Sequence, residues 1–164
     1  MTKTEENLLK AFAGESQANR RYLAFAEQAE KEHYPQVAKL FRAAAEAETV
    51  HALAHLRALG QVKSTAENVR EAIAGETHEF NSMYPAMIEA AKEDGNKEAE
   101  RSFSYANKVE KVHADLYQKA LDNLEAVEET DYYVCSVCGY TCETAPPDKC
   151  PVCGSPSKAF SKVD

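Results

Sequence analysis

Apolar residues recur at helical spacing through the first three quarters of the chain, and this pattern predicts four helices. The segment is rich in Ala, Leu, Glu, Lys and Arg and contains only two prolines, as expected of helical sequence. Gly60 is a natural stop for the second helix, and Ser64-Thr-Ala-Glu67 has the form of a capping box that opens the third. The predicted helices cover residues 4–32, 35–59, 65–94 and 96–127.

The last part of the chain has a different composition. Glu128-Glu-Thr-Asp131 is polar, and the residues after it hold all five cysteines and four of the six prolines. The sequence therefore predicts a helical domain over residues 1–127, a linker over 128–131 and a small separate domain over 132–164.

Four glutamates interrupt the apolar faces of the predicted helices, one in each helix: Glu15, Glu48, Glu76 and Glu110. An unpaired ionised carboxylate inside an apolar face costs roughly several kcal/mol. Any one of these residues could be an ordinary salt-bridged or solvent-facing acid. Their repetition in all four helices favours one common explanation, which is a pair of divalent cations at the centre of a bundle.

Histidines stand three residues after two of these glutamates, in Glu48-Thr-Val-His51 and Glu110-Lys-Val-His113. Residues i and i+3 lie on one face of a helix, so each motif presents two metal ligands side by side. A lone glutamate followed by such a motif occurs twice, about 62 residues apart. Two such sets form the ligand shell of the di-iron carboxylate bundles.

Three further side chains are candidates for the same site. Glu79 lies one turn after Glu76 and has no counterpart in the first half of the chain, which predicts an asymmetric site. Tyr22 and Tyr84 follow the candidate glutamates closely and could hydrogen-bond to ligand carboxylates. Core packing is the alternative role for both tyrosines.

Two Cys-x-x-Cys motifs, Cys135-Ser-Val-Cys138 and Cys150-Pro-Val-Cys153, stand eleven residues apart. Two tight turns at this spacing can face each other and hold one tetrahedral metal with four thiolates. The spacing leaves iron and zinc open. Cys142 is the fifth cysteine, and we interpret it as a spare thiol.

The net charge of -8 argues against nucleic acid and anionic membranes as partners. The amino-terminal residues contain no apolar run of signal-peptide length, and no stretch approaches the length of a membrane span. We therefore expect a cytoplasmic protein, where clustered cysteines favour metal binding over disulfides.

The chain resembles the rubrerythrin family over essentially its whole length. The resemblance rests on the two Glu-x-x-His motifs, on Ala-Gly-Glu76-Thr-His-Glu79, and on the paired cysteine motifs. It implies an all-α, ferritin-like, di-iron four-helix bundle followed by a small rubredoxin-like metal-bound β domain. It also implies a non-haem iron peroxidase of oxidative-stress defence, which reduces hydrogen peroxide to water with electrons relayed through the rubredoxin-type iron. The electrons would come from rubredoxin or an NAD(P)H-dependent reductase.

The resemblance also assigns roles to the residues. Glu48 and Glu110 would bridge the two irons, and Glu15 and Glu76 would be terminal ligands. His113 would bind one iron permanently. Glu79 and His51 would exchange at the other iron as the redox state changes. The exchanging pair, Glu79 and His51, and the two tyrosines, Tyr22 and Tyr84, are the candidate catalytic residues.

The short connection between the second and third predicted helices, residues 60–64, predicts a dimer. In the usual ferritin-like arrangement these helices run parallel, so the chain must climb about 28 Å to place both halves around one site. Five or six residues reach about 20 Å at most. We therefore expect a homodimer that swaps helix pairs between chains; an up-down bundle with antiparallel second and third helices is the alternative.

Two other functions remain open from the residues. A ferritin-like ferroxidase or iron-handling protein would share the bundle but has no use for the cysteine domain. A non-enzymatic module with zinc in the cysteine site would share the cysteine spacing but would lack a reducible chromophore.

Overall fold

The computed structural model describes all residues of the chain, 1–164. It contains five α-helices, α1 (Lys3–Lys31), α2 (Pro35–Ala58), α3 (Thr65–His78), α4 (Tyr84–Glu93) and α5 (Lys97–Asp122), with a π-helical segment at Glu79–Met83. Three strands follow, β1 (Tyr132–Cys135), β2 (Thr141–Glu143) and β3 (Phe160–Lys162), with a 3-10 turn at Ser157–Ala159. The predicted fold class, helices followed by a small cysteine-rich β region, is confirmed. None of the helices is both long and apolar enough to cross a membrane.

The chain divides into two compact units, residues 1–63 and residues 64–164. The predicted domain division, with its linker at 128–131, stays a prediction. The first unit is the hairpin of α1 and α2, and the second holds α3, the π-helical segment, α4, α5 and the strands.

Small residues form the contact between α1 and α2. The buried side chains of this hairpin are all alanines, namely Ala26, Ala29, Ala38, Ala45 and Ala52. Because alanine side chains are short, they let two helix backbones approach closely, but each removes little apolar surface from water. Larger apolar residues of the hairpin stay in solvent, with Leu40 68% and Val50 66% exposed. The core of the hairpin is therefore small, with Ala26, Ala29 and Ala38 at its centre and Phe41 packed against them.

The predicted capping box at the start of α3 is present. The Ser64 side chain accepts a hydrogen bond from the Glu67 amide, and the Glu67 carboxylate accepts one from the Ser64 amide at 3.2 Å. This exchange satisfies two amide groups that the first turn of a helix leaves without partners.

The predicted third helix is interrupted by the π-helical segment at Glu79–Met83. Pro85, in the first turn of α4, explains the interruption. Proline has no amide hydrogen, and its ring crowds the carbonyl group four residues earlier, so the preceding turn widens.

The last helix ends at Asp122, five residues before the predicted end. The Asn123 side chain donates a hydrogen bond to the carbonyl oxygen of Lys119 at 3.1 Å. That oxygen is the one that the Asn123 amide would bond in a continued helix. The side chain thus competes with the next helical turn.

The three strands form one antiparallel sheet in the order β2-β1-β3. Tyr133 of β1 lies opposite Cys142 of β2 and Lys162 of β3. Strand β1 leads into the first Cys-x-x-Cys turn and β3 follows the second, and the sheet places these two strands side by side. Tyr140 and Phe160 pack edge to face, with ring centroids 6.3 Å apart.

Candidate metal centres

The first candidate centre, which we call the amino-terminal cluster, consists of Glu15 on α1 with Glu48 and His51 on α2. One ligand atom from each residue lies within 4.8 Å of the others. The His51 Nδ1 atom is 2.9 Å from the Glu48 Oε2 atom, as expected for residues one helical turn apart. The Glu48 side chain is 18% exposed and the His51 side chain 55% exposed, so the histidine is the accessible member.

The second candidate centre, the central cluster, consists of Glu76 on α3 with Glu110 and His113 on α5. Its ligand atoms also lie within 4.8 Å of one another. The His113 Nδ1 atom is 2.8 Å from Glu110 Oε2 and 3.7 Å from Glu76 Oε1. All three side chains are largely buried, between 16% and 27% exposed. The same motif therefore produces a more enclosed cluster here than in the first unit.

The carboxylates of Glu76 and Glu110 lie close together at the central cluster, and the charge of Glu79 acts on Glu76 as well. Burial first, and then the charges of Glu110 and Glu79, raise the pKa of Glu76, while the nearby His113 lowers it. The fold therefore holds Glu76 beside acidic groups that disfavour its ionisation. A bound divalent cation would relieve this repulsion, because it attracts every carboxylate in the cluster.

Glu79 lies outside the three-residue central cluster. It is the first residue of the π-helical segment, and its carbonyl oxygen accepts the Tyr84 amide. A π-helical turn inserts one residue and rotates the following side chains around the helix axis, and such turns occur often at functional sites. The role predicted for Glu79 stays a prediction.

The two candidate tyrosines have different surroundings. Tyr22 packs with Phe25 and Phe41, with ring centroids 6.4 Å and 6.1 Å away. Tyr84 lies near the central cluster, where burial and the carboxylates, Glu110 foremost, raise the pKa of its phenol. The catalytic roles of both tyrosines stay predictions.

The third candidate centre is the tetracysteine site, Cys135, Cys138, Cys150 and Cys153, whose sulfur atoms all lie within 4.8 Å of one another. The Cys135 and Cys153 sulfurs are 3.7 Å apart, and the Cys138 and Cys150 sulfurs are 3.5 Å apart. A tetrahedron of thiolates with metal–sulfur bonds of about 2.3 Å has edges of about 3.8 Å. The four thiols therefore fit a single tetrahedral metal ion.

The two Cys-x-x-Cys turns have the same backbone design. The Gly139 amide donates to the Cys135 carbonyl oxygen at 2.8 Å, and the Gly154 amide donates to that of Cys150 at 2.9 Å. Both glycines have positive φ, +81° and +77°. Each turn thus depends on a backbone conformation that glycine adopts without strain.

The thiols of this site differ in acidity. Burial raises the pKa of Cys138. For Cys153, burial acts in the same upward direction, but hydrogen bonds to Ser155 lower the pKa to about 6. Metal binding requires thiolates, so a cysteine that ionises easily favours loading of the site. Cys142 lies outside this site, with its sulfur 3.6 Å from the Ala145 carbonyl oxygen, and burial raises its pKa.

Two polar residues beside the clusters escaped the sequence analysis. Asn19, one turn after Glu15, donates to the Ala45 carbonyl oxygen at 2.7 Å and to the Thr49 hydroxyl at 2.8 Å. Thr141 of β2 lies 3.1 Å from the second ring nitrogen of His113. Helical spacing could have pointed to Asn19, whereas nothing local marks Thr141, because 28 residues separate it from His113.

Comparison with known proteins decides the family. A sequence model of the family Rubrerythrin matches residues 6–121, and one of the rubredoxin-like domain of rubrerythrin matches residues 133–161. The chain belongs to the rubrerythrin family. The resemblance noted from the motifs is thus confirmed, together with a di-iron site and a rubredoxin-like tetracysteine site as its metal centres. Rubrerythrin-family members are oxidoreductases, and the predicted class of enzyme agrees.

Individual relatives cover nearly the whole chain. The rubrerythrin of Porphyromonas gingivalis is 40% identical, with 99% of this chain and 90% of that protein covered. Rubrerythrin-2 of Clostridium acetobutylicum is 37% identical, with 96% of this chain and 95% of that protein covered. A structure of fully reduced, all-ferrous nigerythrin has a TM-score of 0.61 at 33% identity, covering 99% of this chain and 88% of that chain. The ferritin-like fold and the rubredoxin-like domain of the rubrerythrin family therefore apply to this protein.

Proposed function

We propose that this protein reduces hydrogen peroxide to water as part of oxidative-stress defence. The observation that carries the proposal is the presence, in one compact unit, of a carboxylate–histidine cluster and a tetracysteine site. A storage protein needs the first and has no use for the second. Reduction of peroxide consumes two electrons and two protons for each molecule, so a site fed by a one-electron relay suits the reaction.

We assign the metal ligands as the family resemblance implies. The pair of irons would be held by five lasting ligands and by an exchanging pair. The lasting ligands are Glu15, Glu48, Glu76, Glu110 and His113, and the exchanging pair is Glu79 and His51. The observed clusters support six of the seven, since these are already grouped in two sets of three. Four carboxylates and two imidazoles suit iron.

When bound, the iron pair supplies two reducing equivalents and polarises the oxygen–oxygen bond as a Lewis acid. The protein's own residues shape the site around it. His51 is the exposed member of its cluster, so its ring has room to move toward or away from a metal. Tyr84 keeps its proton at neutral pH and can donate a hydrogen bond to an oxygen beside the central cluster.

The tetracysteine site would receive electrons from an external rubredoxin or an NAD(P)H-dependent reductase. Cys135 and Cys150 are buried, whereas Cys138 and Cys153 are partly exposed. Val137, between the cysteines of the first turn, is 55% exposed. An incoming donor can therefore approach one edge of the site while the fold covers the other.

We propose that the working form is a homodimer that swaps helix pairs. Only residues 59–64 connect α2 to α3, and they reach about 20 Å at most. In a ferritin-like bundle, the path that returns from the end of α2 to the start of α3 is about 28 Å. The exposed apolar side chains of the hairpin, such as Leu40 and Val50, add a reason for a second helix pair to cover it.

Metal content and the visible spectrum of an anaerobic sample test the proposed function. We expect about three irons per chain, as two in the carboxylate site and one in the tetracysteine site. The red absorbance of the ferric tetrathiolate should bleach on reduction and return when hydrogen peroxide is added. Zinc in the cysteine site and no reducible chromophore would overturn the relay. Iron oxidation by dioxygen without turnover of peroxide would point to a ferroxidase instead.

Substitution of a central ligand sharpens the test. Glu110→Ala or His113→Ala should abolish peroxide reduction and leave the spectrum of the cysteine-bound iron intact. Glu98→Ala is a matched control, because Glu98 is an exposed glutamate on the same helix. Full activity in Glu110→Ala would refute the ligand assignment.

Mixing two inactive variants tests the swap. In a swapped dimer, the pairing of a Glu48→Ala chain with a Glu110→Ala chain leaves one site with all its ligands. If the chains are refolded together, half of the dimers are mixed and each has one intact site of two, so about a quarter of the wild-type activity should return. If every site takes its ligands from a single chain, the mixture stays inactive.

A further inference from the structure

The second ring nitrogen of His113 has a partner outside the central cluster. The Nδ1 atom faces the carboxylates, 2.8 Å from Glu110 Oε2. The Nε2 atom lies 3.1 Å from the Thr141 hydroxyl oxygen. Thr141 is the first residue of β2, in the same compact unit as α5. The histidine of the central cluster thus makes direct contact with the tetracysteine region of the same chain.

The hydrogen bonds of Thr141 require a hydrogen on the Nε2 atom of His113. The Thr141 hydroxyl donates its only hydrogen to the Gly139 carbonyl oxygen at 3.1 Å. Toward His113 it can therefore only accept. The His113 ring therefore donates its Nε2 hydrogen to Thr141, and a neutral ring in this tautomer presents the lone pair of Nδ1 on the side of the carboxylates. This tautomer is the one that a metal ion in the central cluster requires.

Strand β2 is held against α5 at more than this one point. The Lys119 Nζ atom lies 2.6 Å from the Glu143 Oε2 atom. Alternate residues of a strand face the same side, so Thr141 and Glu143 both face α5 while Cys142 between them does not. Gly139 also approaches α5, since a Cβ atom at this glycine would lie 3.8 Å from Val109 Cγ1. The hydroxyl of Thr141 is therefore fixed in place by the docking of its strand.

We propose that Thr141 is a positioning residue for His113, which sets its tautomer and ring orientation for metal binding at Nδ1. This inference rests on the proposed metal-ligand role of His113. The same hydroxyl is bonded to Gly139, the residue that follows Cys138 in the first cysteine turn. Docking of the tetracysteine region thus prepares the histidine of the carboxylate site. A carboxylate site separated from this strand would bind metal less tightly, because the histidine would lose this orienting bond.

Thr141→Val tests the proposal because valine keeps the shape of the side chain and removes the hydroxyl. Thr141→Ser should restore the bond. Thr65→Val is the matched control, since Thr65 is an exposed threonine at the start of α3, in the same compact unit, and takes no part in the contact with His113. The full-length chain is loaded with one zinc ion in the tetracysteine site and then titrated with cobalt(II), whose visible bands report histidine and carboxylate coordination.

We expect Thr141→Val to weaken cobalt binding by about 10- to 100-fold, the usual effect of removing a hydrogen-bond partner of a metal-bound histidine. Thr141→Ser should bind within a few-fold of wild type, and Thr65→Val should match wild type. A second readout needs no metal in the carboxylate site. Proton NMR should show slow exchange of the His113 Nε2 hydrogen with solvent in wild type and in Thr141→Ser, and faster exchange in Thr141→Val.

Three results would each overturn the proposal: wild-type affinity and wild-type exchange of the Nε2 hydrogen in Thr141→Val, equal weakening in Thr141→Ser, or equal weakening in Thr65→Val. If Thr141→Val does not fold, as judged by circular dichroism, Thr141→Ala compared with Thr141→Ser makes the same test. The exchange measurement separates this inference from the proposed function, because it needs neither metal in the carboxylate site nor peroxide turnover.

Discussion

Gly154→Ala should weaken the tetracysteine site through the backbone alone. Gly154 has a φ of +77°, and its amide donates to the Cys150 carbonyl oxygen. A Cβ atom built there meets nothing within 4 Å, so no steric contact contributes. The remaining cost is that of placing an L-residue in the left-handed region.

The expected magnitude follows from that single cost. A left-handed conformation costs a residue with a Cβ atom about 1–2 kcal/mol. Because the metal binds only the folded turn, a destabilisation of this size should reduce the affinity for metal by roughly 5- to 30-fold. Asparagine adopts positive φ more readily, so Gly154→Asn should fall between glycine and alanine.

Competition with a chelator measures this effect. The full-length protein with iron in the tetracysteine site is titrated with chelator, and loss of the red absorbance gives the relative affinity. Gly14→Ala is the matched control, because Gly14 lies within α1 and a Cβ atom there also meets nothing within 4 Å. It should leave the cysteine site unchanged and stabilise the helix by about 0.5–1 kcal/mol. Wild-type affinity in Gly154→Ala, or weaker binding in Gly154→Asn than in Gly154→Ala, would refute the reasoning.

Three further predictions concern the second unit. Burial and neighbouring charges raise the pKa of Glu76, so its contribution to the stability of the metal-free protein is greatest below its ordinary pKa of 4.5 and is lost as the pH rises through the raised value. Glu76→Gln should therefore be more stable than wild type in urea at pH 8 without metal, and an equal loss of stability with pH in both proteins would contradict this. Ser64→Ala removes a capping box and should cost about 1 kcal/mol in urea unfolding, whereas Ser102→Ala, at an exposed position within α5, should be nearly neutral. Tyr84→Phe should lower the turnover of peroxide by about 100-fold at unchanged iron content if the phenol acts as a proton donor, and unchanged turnover would leave Tyr84 as a packing residue.

Local signals in the sequence were sufficient for most helix boundaries. The capping box at Ser64 and Glu67 and the stop at Gly60 depend on contacts a few residues apart, and the structure has both. The end of the last helix was misplaced because the Asn123 side chain competes for the Lys119 carbonyl oxygen. The interruption at Glu79–Met83 had one local signal, Pro85, which by itself does not distinguish a π-helical turn from a kink.

The sequence by itself determined which residues could act together as ligands within one helix or one turn. Helical geometry places Glu110 beside His113, and the two Cys-x-x-Cys motifs need only their spacing to form facing turns. Only the tertiary structure decided which residue contacts a ligand on the side that faces away from the metal site. The bond from His113 to Thr141 spans 28 residues, and it exists because strand β2 docks on α5. Periodicity reports the face on which a residue lies, whereas the partner across a contact depends on packing between elements distant in the chain.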